Sequence, residues 1–212
     1  MAEYEAVERV LRLYEEFGSD DYIGEEISQT EHAIQAHDLA LRLFPETATA
    51  ATRQEFATAA LLHDVGHLLG AQSAAKHLEG HEAIQEQADG PFVVERMGDC
   101  GISGHERLGA QYLRQLGFRS VVCELVEGHV IAKRYLARDP EFLTTLSPAS
   151  TATLKYQGGP LSDEAAAEFA AHPFFDLLLI LRSCDDLAKV PHLPLPSFSS
   201  FERQLVGCLH LP

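Results

Sequence analysis

The chain has no tryptophan, four cysteines and four lysines in 212 residues. Each shortage excludes something. The cysteines, Cys100, Cys123, Cys184 and Cys208, lie far apart with no Cys-x-x-Cys pair. That excludes a disulfide framework, disfavours a structural zinc site, and reads as reduced thiols in a cytoplasmic protein. Basic residues are scarce: Lys+Arg is 16 against Asp+Glu 32, a formal charge of −16. A groove for nucleic acid is therefore not expected, because a binder of polyphosphate backbone carries a basic face. Long apolar runs are absent too. The longest, from Phe174 to Leu181, is interrupted by Asp176 and falls well short of the ~18 apolar residues of a membrane span. The first residues are acidic where a signal peptide is basic, so no membrane partner is expected. What remains is ordinary globular material, 46% hydrophobic and 23% charged, of a length suited to one domain over 1–212.

The hydrophobic period is helical almost throughout. Val7, Val10, Leu11, Tyr14 and Phe17 recur every three or four residues, and Gly18 ends that segment. Ile27, Ile34, Leu39 and Leu43 predict a second helix, closed by Pro45. Phe56 to Leu69 predicts a third, closed by Gly70. Leu108 to Leu116 and Val121 onward predict two more. Asp139-Pro140 and Ser147-Pro148 are each a capping residue followed by proline at the first helical position. Phe174 to Ala188 reads as the most apolar, central helix. No alternating strand with a hairpin turn is visible, so the class is all-α. Residues 71–104 lack a clear period and read as a long loop with a short helix, a variable loop or lid. Residues 190–212 read as a proline-punctuated strap followed by a short helix near Phe201–Val206.

Eleven histidines are present, and several fall where a metal would want them. His63-Asp64-Val65-Gly66-His67 sits on the apolar third segment. His63 and His67 are four apart, so they are expected to share a face of that helix. A carboxylate among Ala59, Ala60, Leu61 and Leu62 is costly unless paired or bound to metal. His32 follows the acidic, capped turn Ser28-Gln-Thr-Glu. His105 opens a helix after Gly104, His129 follows Glu127-Gly128, and Asp185 lies in the most apolar helix. Each taken alone is also an ordinary core or surface residue. Together they are four imidazoles and two carboxylates. Six mixed nitrogen and oxygen ligands suit two first-row metals bridged by a carboxylate better than one. His37, His77, His81, His172, His192 and His210 match nothing and are expected at the surface or in loops.

The order His32, His63-Asp64, Asp185 resembles the signature of the HD-domain superfamily, and His105 and His129 resemble the additional ligands of its dinuclear branch. The segments DYIGEEISQTEH, ALLHDVGH, GHERLGAQYLRQLGF, EGHVIAKRYL, LSPAS, YQGGP and LRSCDDLAKVP are together similar to the mixed-valence diiron oxygenases that cleave the C–P bond of organophosphonates. The resemblance implies an HD helical bundle with a central dinuclear metal site, two iron ions (Fe(II)/Fe(III)) and dioxygen as co-substrate. It implies a small organophosphonate as partner: a 1-hydroxy-2-amino- or 1-hydroxy-2-(trimethylammonio)ethylphosphonate, converted to glycine or glycine betaine plus phosphate. The runner-up within the same fold is a metal-dependent phosphohydrolase of a phosphate ester or nucleotide. The stretch 71–104 departs most from the family pattern.

The resemblance also implies roles around the metals. Tyr22 and Glu25 form a gate, the tyrosine standing at an open iron position and the glutamate meeting the substrate's cationic nitrogen. Ser150 and Gln157 hydrogen-bond the phosphonate. His67 meets the phosphonate or orients a ligand. Lys133, four after His129, and Arg182, three before Asp185, share faces with those ligands by helical spacing, and a phosphonate suits both through charge-assisted bonds. The plainer alternatives are a surface salt bridge for Lys133 and an intrahelical pair for Arg182. Plain helix-start or turn positions serve equally for Ser150, Gln157, Tyr22 and Glu25. With no tryptophan, any aromatic cage for a quaternary ammonium must use tyrosine or phenylalanine.

Overall fold

Apolar residues every third or fourth position wind the first segment into a helix, α1 (Ala2–Phe17), with Val7, Val10, Leu13 and Tyr14 buried along one side. The computed structural model describes residues 2–22, 24–45, 49–78 and 101–210. The helices that follow are α2 (Gln29–Leu43), α3 (Ala50–Leu62), α4 (Val65–Leu78), α5 (His105–Gln115), α6 (Ser120–Leu136), α7 (Pro140–Thr145), α8 (Pro148–Tyr156), α9 (Asp163–Ala170), α10 (Phe175–Leu187) and α11 (Glu202–Gly207). A 3-10 turn over Phe198–Phe201 leads into the last. Among the described residues β-pairing is limited to two isolated bridges, Asp21 with Ser28 and Phe118 with Leu209. The all-α expectation holds.

Local chemistry sets the helix starts. Ser28 and Glu31 form a reciprocal capping box at α2. The Ser28 hydroxyl accepts from the Glu31 amide at 3.2 Å, and the Glu31 carboxylate accepts from the Ser28 amide at 2.7 Å. Asp139 and Ser147 cap α7 and α8 as their Pro pairs predict. The core is the mutual packing of α2, α3, α6 and α10. Phe56, Leu61, Leu62, Leu125, Leu178 and Leu181 are wholly buried there.

The segment expected as one helix from Phe56 to Leu69 is two. It breaks at His63-Asp64, between α3 and α4. Consecutive side chains on an unbroken helix point about 100° apart, so the two residues converge on one centre only if the helix opens between them. The break releases carbonyls at the end of α3. Tyr14 donates its hydroxyl to that of Leu61 at 3.0 Å, and the His63 ring uses that of Ala60 at 2.8 Å. Gly70 does not end the helix either, since α4 runs on to Leu78. Gly66 and Gly70 instead admit the chain that leads into α5. A Cβ at Gly66 would stand 2.0 Å from the His105 carbonyl oxygen, and one at Gly70 1.4 Å from the Ile102 side chain. Within 71–104, expected as a loop with a short helix, residues 71–78 are helical as the continuation of α4; the lid expectation over 79–100, with His81 and Cys100, lies outside the described residues, as does the His77 side chain.

The C-terminal strap is part of the core. Phe198 stacks on Tyr14 with ring centroids 3.7 Å apart, and Leu205 is fully buried. His37, expected at the surface, is 4% exposed. Its ring meets the Gln204 side chain at 3.1 Å and the edge of Phe201. A polar residue from α2 has been used to anchor α11. Cys123, Cys184 and Cys208 are free and buried. No described helix is long and apolar enough to cross a membrane.

Candidate metal centre

Each central helix delivers a ligand type to one point. His32 comes from α2, His63 and Asp64 from the break after α3, His105 from the first residue of α5, His129 from the middle of α6 and Asp185 from the last turns of α10. All six are buried, the most exposed being Asp64 at 8%. His32 Nε2 lies 3.1 Å from His63 Nε2, and His105 Nε2 lies 3.0 Å from His129 Nε2. Asp64 stands between the two pairs. Its Oδ2 is 3.6 Å from His32 and 3.4 Å from His63, while its Oδ1 is 3.3 Å from His105 and 3.5 Å from His129. Asp185 joins the first pair, 3.5 Å from His32 through Oδ1. Donor atoms just over 3 Å apart are neighbouring corners of a polyhedron around an ion about 2.1 Å from each. One oxygen of Asp64 faces each half, as a bridging carboxylate does.

The imidazoles are fixed from behind. His32 Nδ1 donates to the Ala188 carbonyl at 2.8 Å, His63 to Ala60 at 2.8 Å, His129 to Val126 at 2.7 Å and His105 to Ile102 at 3.2 Å. With a proton held on each Nδ1, every Nε2 faces inward, the orientation a metal needs. Three of these carbonyls lie three residues before their histidine. Burial pushes His32 down to about 4 and His129 down to about 3, each lowered further by a neighbouring imidazole. Both imidazoles are neutral, the form in which they could hold a metal. Burial opposes charge on His63 as well, but Asp64 and Asp185 lift it to about 9. Asp64 is held well below the usual carboxylate range, chiefly by His63 against the opposing effect of burial. Two buried carboxylates thus demand positive charge, which a proton on His63 supplies in part and metal cations supply in full.

His67 also offers a nitrogen within 4.8 Å of the Asp64 and His105 donors. Its ring, however, stacks on that of His105 at 3.9 Å and 18°, and stacked rings aim their lone pairs side by side. Its Nδ1 accepts the Ile102 amide at 3.2 Å. His67 and His63 do not share a face, because the helix breaks between them. His129, in edge contact with His63, completes the second half instead.

The expected substrate residues Tyr22, Glu25, His67, Lys133, Ser150, Gln157 and Arg182 all line one cavity, together with Asp64, His105, His129 and Asp185. Tyr22 stacks on His32 at 3.8 Å and its hydroxyl reaches Asp185 Oδ1 at 3.4 Å. Burial, then Asp185, raises its pKa well above the ordinary value, so the phenol keeps its proton. Lys133 is 2% exposed and donates to Thr153 at 2.7 Å and Gln157 at 3.0 Å. A surface salt bridge is excluded. Burial, aided by Arg182, lowers it to about 7. For Arg182 the intrahelical alternative is the one found. It donates to Asp185 Oδ2 at 2.7 Å and through two nitrogens to Asp186, while still lining the cavity. Gln157 stands at the end of α8 before Gly158 and Gly159, both with positive φ.

Residues not singled out from sequence belong here too. Lys189 donates to the Ser150 hydroxyl at 3.2 Å and lies 3.7 Å from Glu25. It follows Asp185 by four, the spacing that marked Lys133 after His129. Thr153 and Asp186 are partners of the two cations. Glu25 keeps one buried carboxylate oxygen without a hydrogen-bond partner.

Comparison with known proteins places the chain among relatives. The chain is 36% identical over 185 residues (87% of this chain, 73% of the relative) to an uncharacterised protein of Acanthamoeba polyphaga mimivirus. It is 31% identical over 196 residues (92% and 86%) to the [1-hydroxy-2-(trimethylamino)ethyl]phosphonate dioxygenase (glycine-betaine-forming) of Leisingera caerulea. It is 34% identical over 206 residues (97% and 89%) to the hydroxymethylphosphonate dioxygenase of Gimesia maris. The HD domain sequence model matches residues 29–165, a span holding five of the six clustered ligands, and the chain belongs to the HD domain family.

Proposed function

We propose that the chain is a diiron oxygenase that cleaves the C–P bond of a 1-hydroxyalkylphosphonate, forming a carboxylate and phosphate with consumption of one dioxygen. The observation that carries this reading is the union of a two-sided His/Asp centre with a cavity wall bearing Lys133, Arg182 and Lys189. Two of the relatives are named as dioxygenases of such phosphonates. His32, His63 and Asp185 would hold one iron, His105 and His129 the other, and Asp64 both. The Fe(II)/Fe(III) pair supplies the activation of dioxygen when bound.

The protein's own groups position the substrate. Lys133 exchanges its neutral partners Thr153 and Gln157 for phosphonate oxygens, a gain because a charge-assisted bond is stronger than a neutral one. Ser150 and Gln157 donate to the same group. Tyr22 gives up its long bond to Asp185 when the substrate hydroxyl arrives, and it leaves as a neutral phenol. Glu25 Oε1, which has no hydrogen-bond donor and faces the Lys189 ammonium at 3.7 Å, would exchange that cation for the cationic nitrogen of a 2-amino or 2-trimethylammonio substrate, which would yield glycine or glycine betaine.

The test is aerobic incubation of the iron-loaded protein with 2-amino-1-hydroxyethylphosphonate, its N-trimethyl form and hydroxymethylphosphonate, and in a parallel arm with phosphate monoesters and nucleotides, following oxygen uptake and phosphate release together. Equal amounts of oxygen consumed and phosphate formed are expected. Phosphate released from a phosphate ester with no oxygen uptake establishes the hydrolase alternative and overturns this reading.

A further inference from the structure

The four ligand imidazoles are not backed alike. His32, His63 and His129 each hold a carbonyl at 2.7 to 2.8 Å through Nδ1, but His105 holds Ile102 at 3.2 Å. The His105 Nδ1 has a second neighbour that no other ligand ring has among the described residues: a carboxylate. Glu106 Oε2 stands 3.6 Å away. That oxygen is buried and has no hydrogen-bond partner, and the Glu106 side chain is only 14% exposed. Its other oxygen lies 3.8 Å from Arg107, whose own side chain is 69% exposed. A buried carboxylate oxygen without a donor is costly. The group able to offset that cost is the His105 ring, which becomes electropositive when its Nε2 gives electron density to a cation.

We propose that Glu106 is a positioning residue that backs His105 and makes the His105–His129 half of the centre a different metal site from the His32–His63–Asp185 half; the inference rests on the dinuclear reading above. A carboxylate beside an imidazole N–H raises the basicity of the ring and fixes its orientation, which strengthens the opposite nitrogen as a ligand. The other three ligand rings have only neutral carbonyls behind them. The distance exceeds a formed hydrogen bond, so the action is electrostatic, shared with the Ile102 carbonyl. Its consequence is chemical inequality between the two ions, the property a centre needs to hold one in each of two oxidation states.

The experiment is anaerobic loading of the full chain with Fe(II), followed by competition with a chromophoric chelator, for wild type, Glu106→Gln and Arg107→Ala. The wild type and the Arg107 variant are expected to hold two irons. Glu106→Gln is expected to keep one at wild-type affinity and to weaken the other by about 10- to 100-fold. The Mössbauer spectrum should change for one of its two iron environments and not the other. Unfolding of the metal-free variant shows whether the fold is intact. If it is not, Glu106→Asp, which keeps the charge but withdraws it by one methylene, is expected to weaken the same site. Both irons held at wild-type affinity with unchanged spectra in the folded variant, or both weakened equally, overturns the role of Glu106 alone. A wild-type chain that takes up a single iron overturns the dinuclear reading and this inference with it.

Discussion

The two sides of the cavity are held by different means. On the metal side every ligand imidazole is tied through Nδ1 to a backbone carbonyl. On the opposite wall Lys133 is tied to Thr153 and Gln157, Lys189 to Ser150, and Tyr22 to Asp185, side chain to side chain. A backbone carbonyl moves only with its stretch of main chain; those of Ala60 and Val126 lie within α3 and α6, and those of Ala188 and Ile102 flank α10 and α5, so the first set is built before any ligand arrives. Side-chain partners can be exchanged one at a time for the oxygens of an incoming anion. The contrast separates a His/Asp centre fixed by backbone from a cavity wall held by side chains; under the proposed function the first would hold the metals and the second would admit and hold the substrate.

The largest effect tests the rigid side. Asp64→Asn keeps the shape but removes the charge that faces both halves of the centre. The loss in metal affinity should exceed the ~100-fold that removal of an outer partner costs, with turnover abolished and iron content falling below two per chain. Retention of both irons with activity would mean that Asp64 is not the shared ligand, and the comparison would lose its first term.

Lys133 tests the adaptable side. Replacement by alanine removes a charge-assisted bond of about 1.5–3 kcal/mol, so KM for the phosphonate should rise roughly 10- to 150-fold with metal content unchanged. Its depressed pKa sets a pH dependence. The folded chain gives up this proton near 7, the unfolded chain near 10.5. Below about 7 both states carry the charge and the full cost of burying it is present. That cost disappears as pH rises toward 10.5, so stability increases across the window. Anion binding runs the other way, because it needs the protonated amine, and should weaken as pH rises through about 7. Lys133→Arg, charged throughout, should flatten that fall. A wild-type profile that matches the arginine variant would remove the lysine from the anion site.

The same division explains what could be read from the sequence. The candidate ligands were legible by their joint order: His63-Asp64 and Asp185 stand in apolar helices where neither type belongs, while His32 and His105, ordinary alone at the starts of polar helices, gain meaning only beside them. The caps Ser28, Asp139 and Ser147 were legible from local pattern alone. The break at His63-Asp64 was not, because Ala and Leu on both sides continue a helical period, and only the need to aim two adjacent residues at one centre interrupts it. Helical spacing put Lys133 and Arg182 beside His129 and Asp185, and both line the cavity, but the choice of partners was open. Asp186, Thr153 and Lys189 carry no local mark beyond helical spacing, and their roles depend on how α8 meets α6 and α10. The buried His37 was misjudged because its partner, Gln204, is 167 residues away.

The smallest expected effect falls on the residue that touches both sides. Tyr22 stacks on a metal-side ring and reaches Asp185 across 3.4 Å, a bond near the limit of useful length. Tyr22→Phe keeps the stack and removes the hydroxyl. If the phenol merely holds a place until substrate arrives, its loss removes a competitor worth ~0.5–1.5 kcal/mol, and apparent affinity for the phosphonate should improve about two- to tenfold while metal content stays at the wild-type value. Tyr22→Ala, which also removes the stack from His32, should lose that gain if ring packing orders the wall. Equal behaviour of the two variants would show that the stack contributes nothing. Weaker binding in Tyr22→Phe would show that the hydroxyl stays and holds the substrate, joining Tyr22 to the fixed side of the cavity.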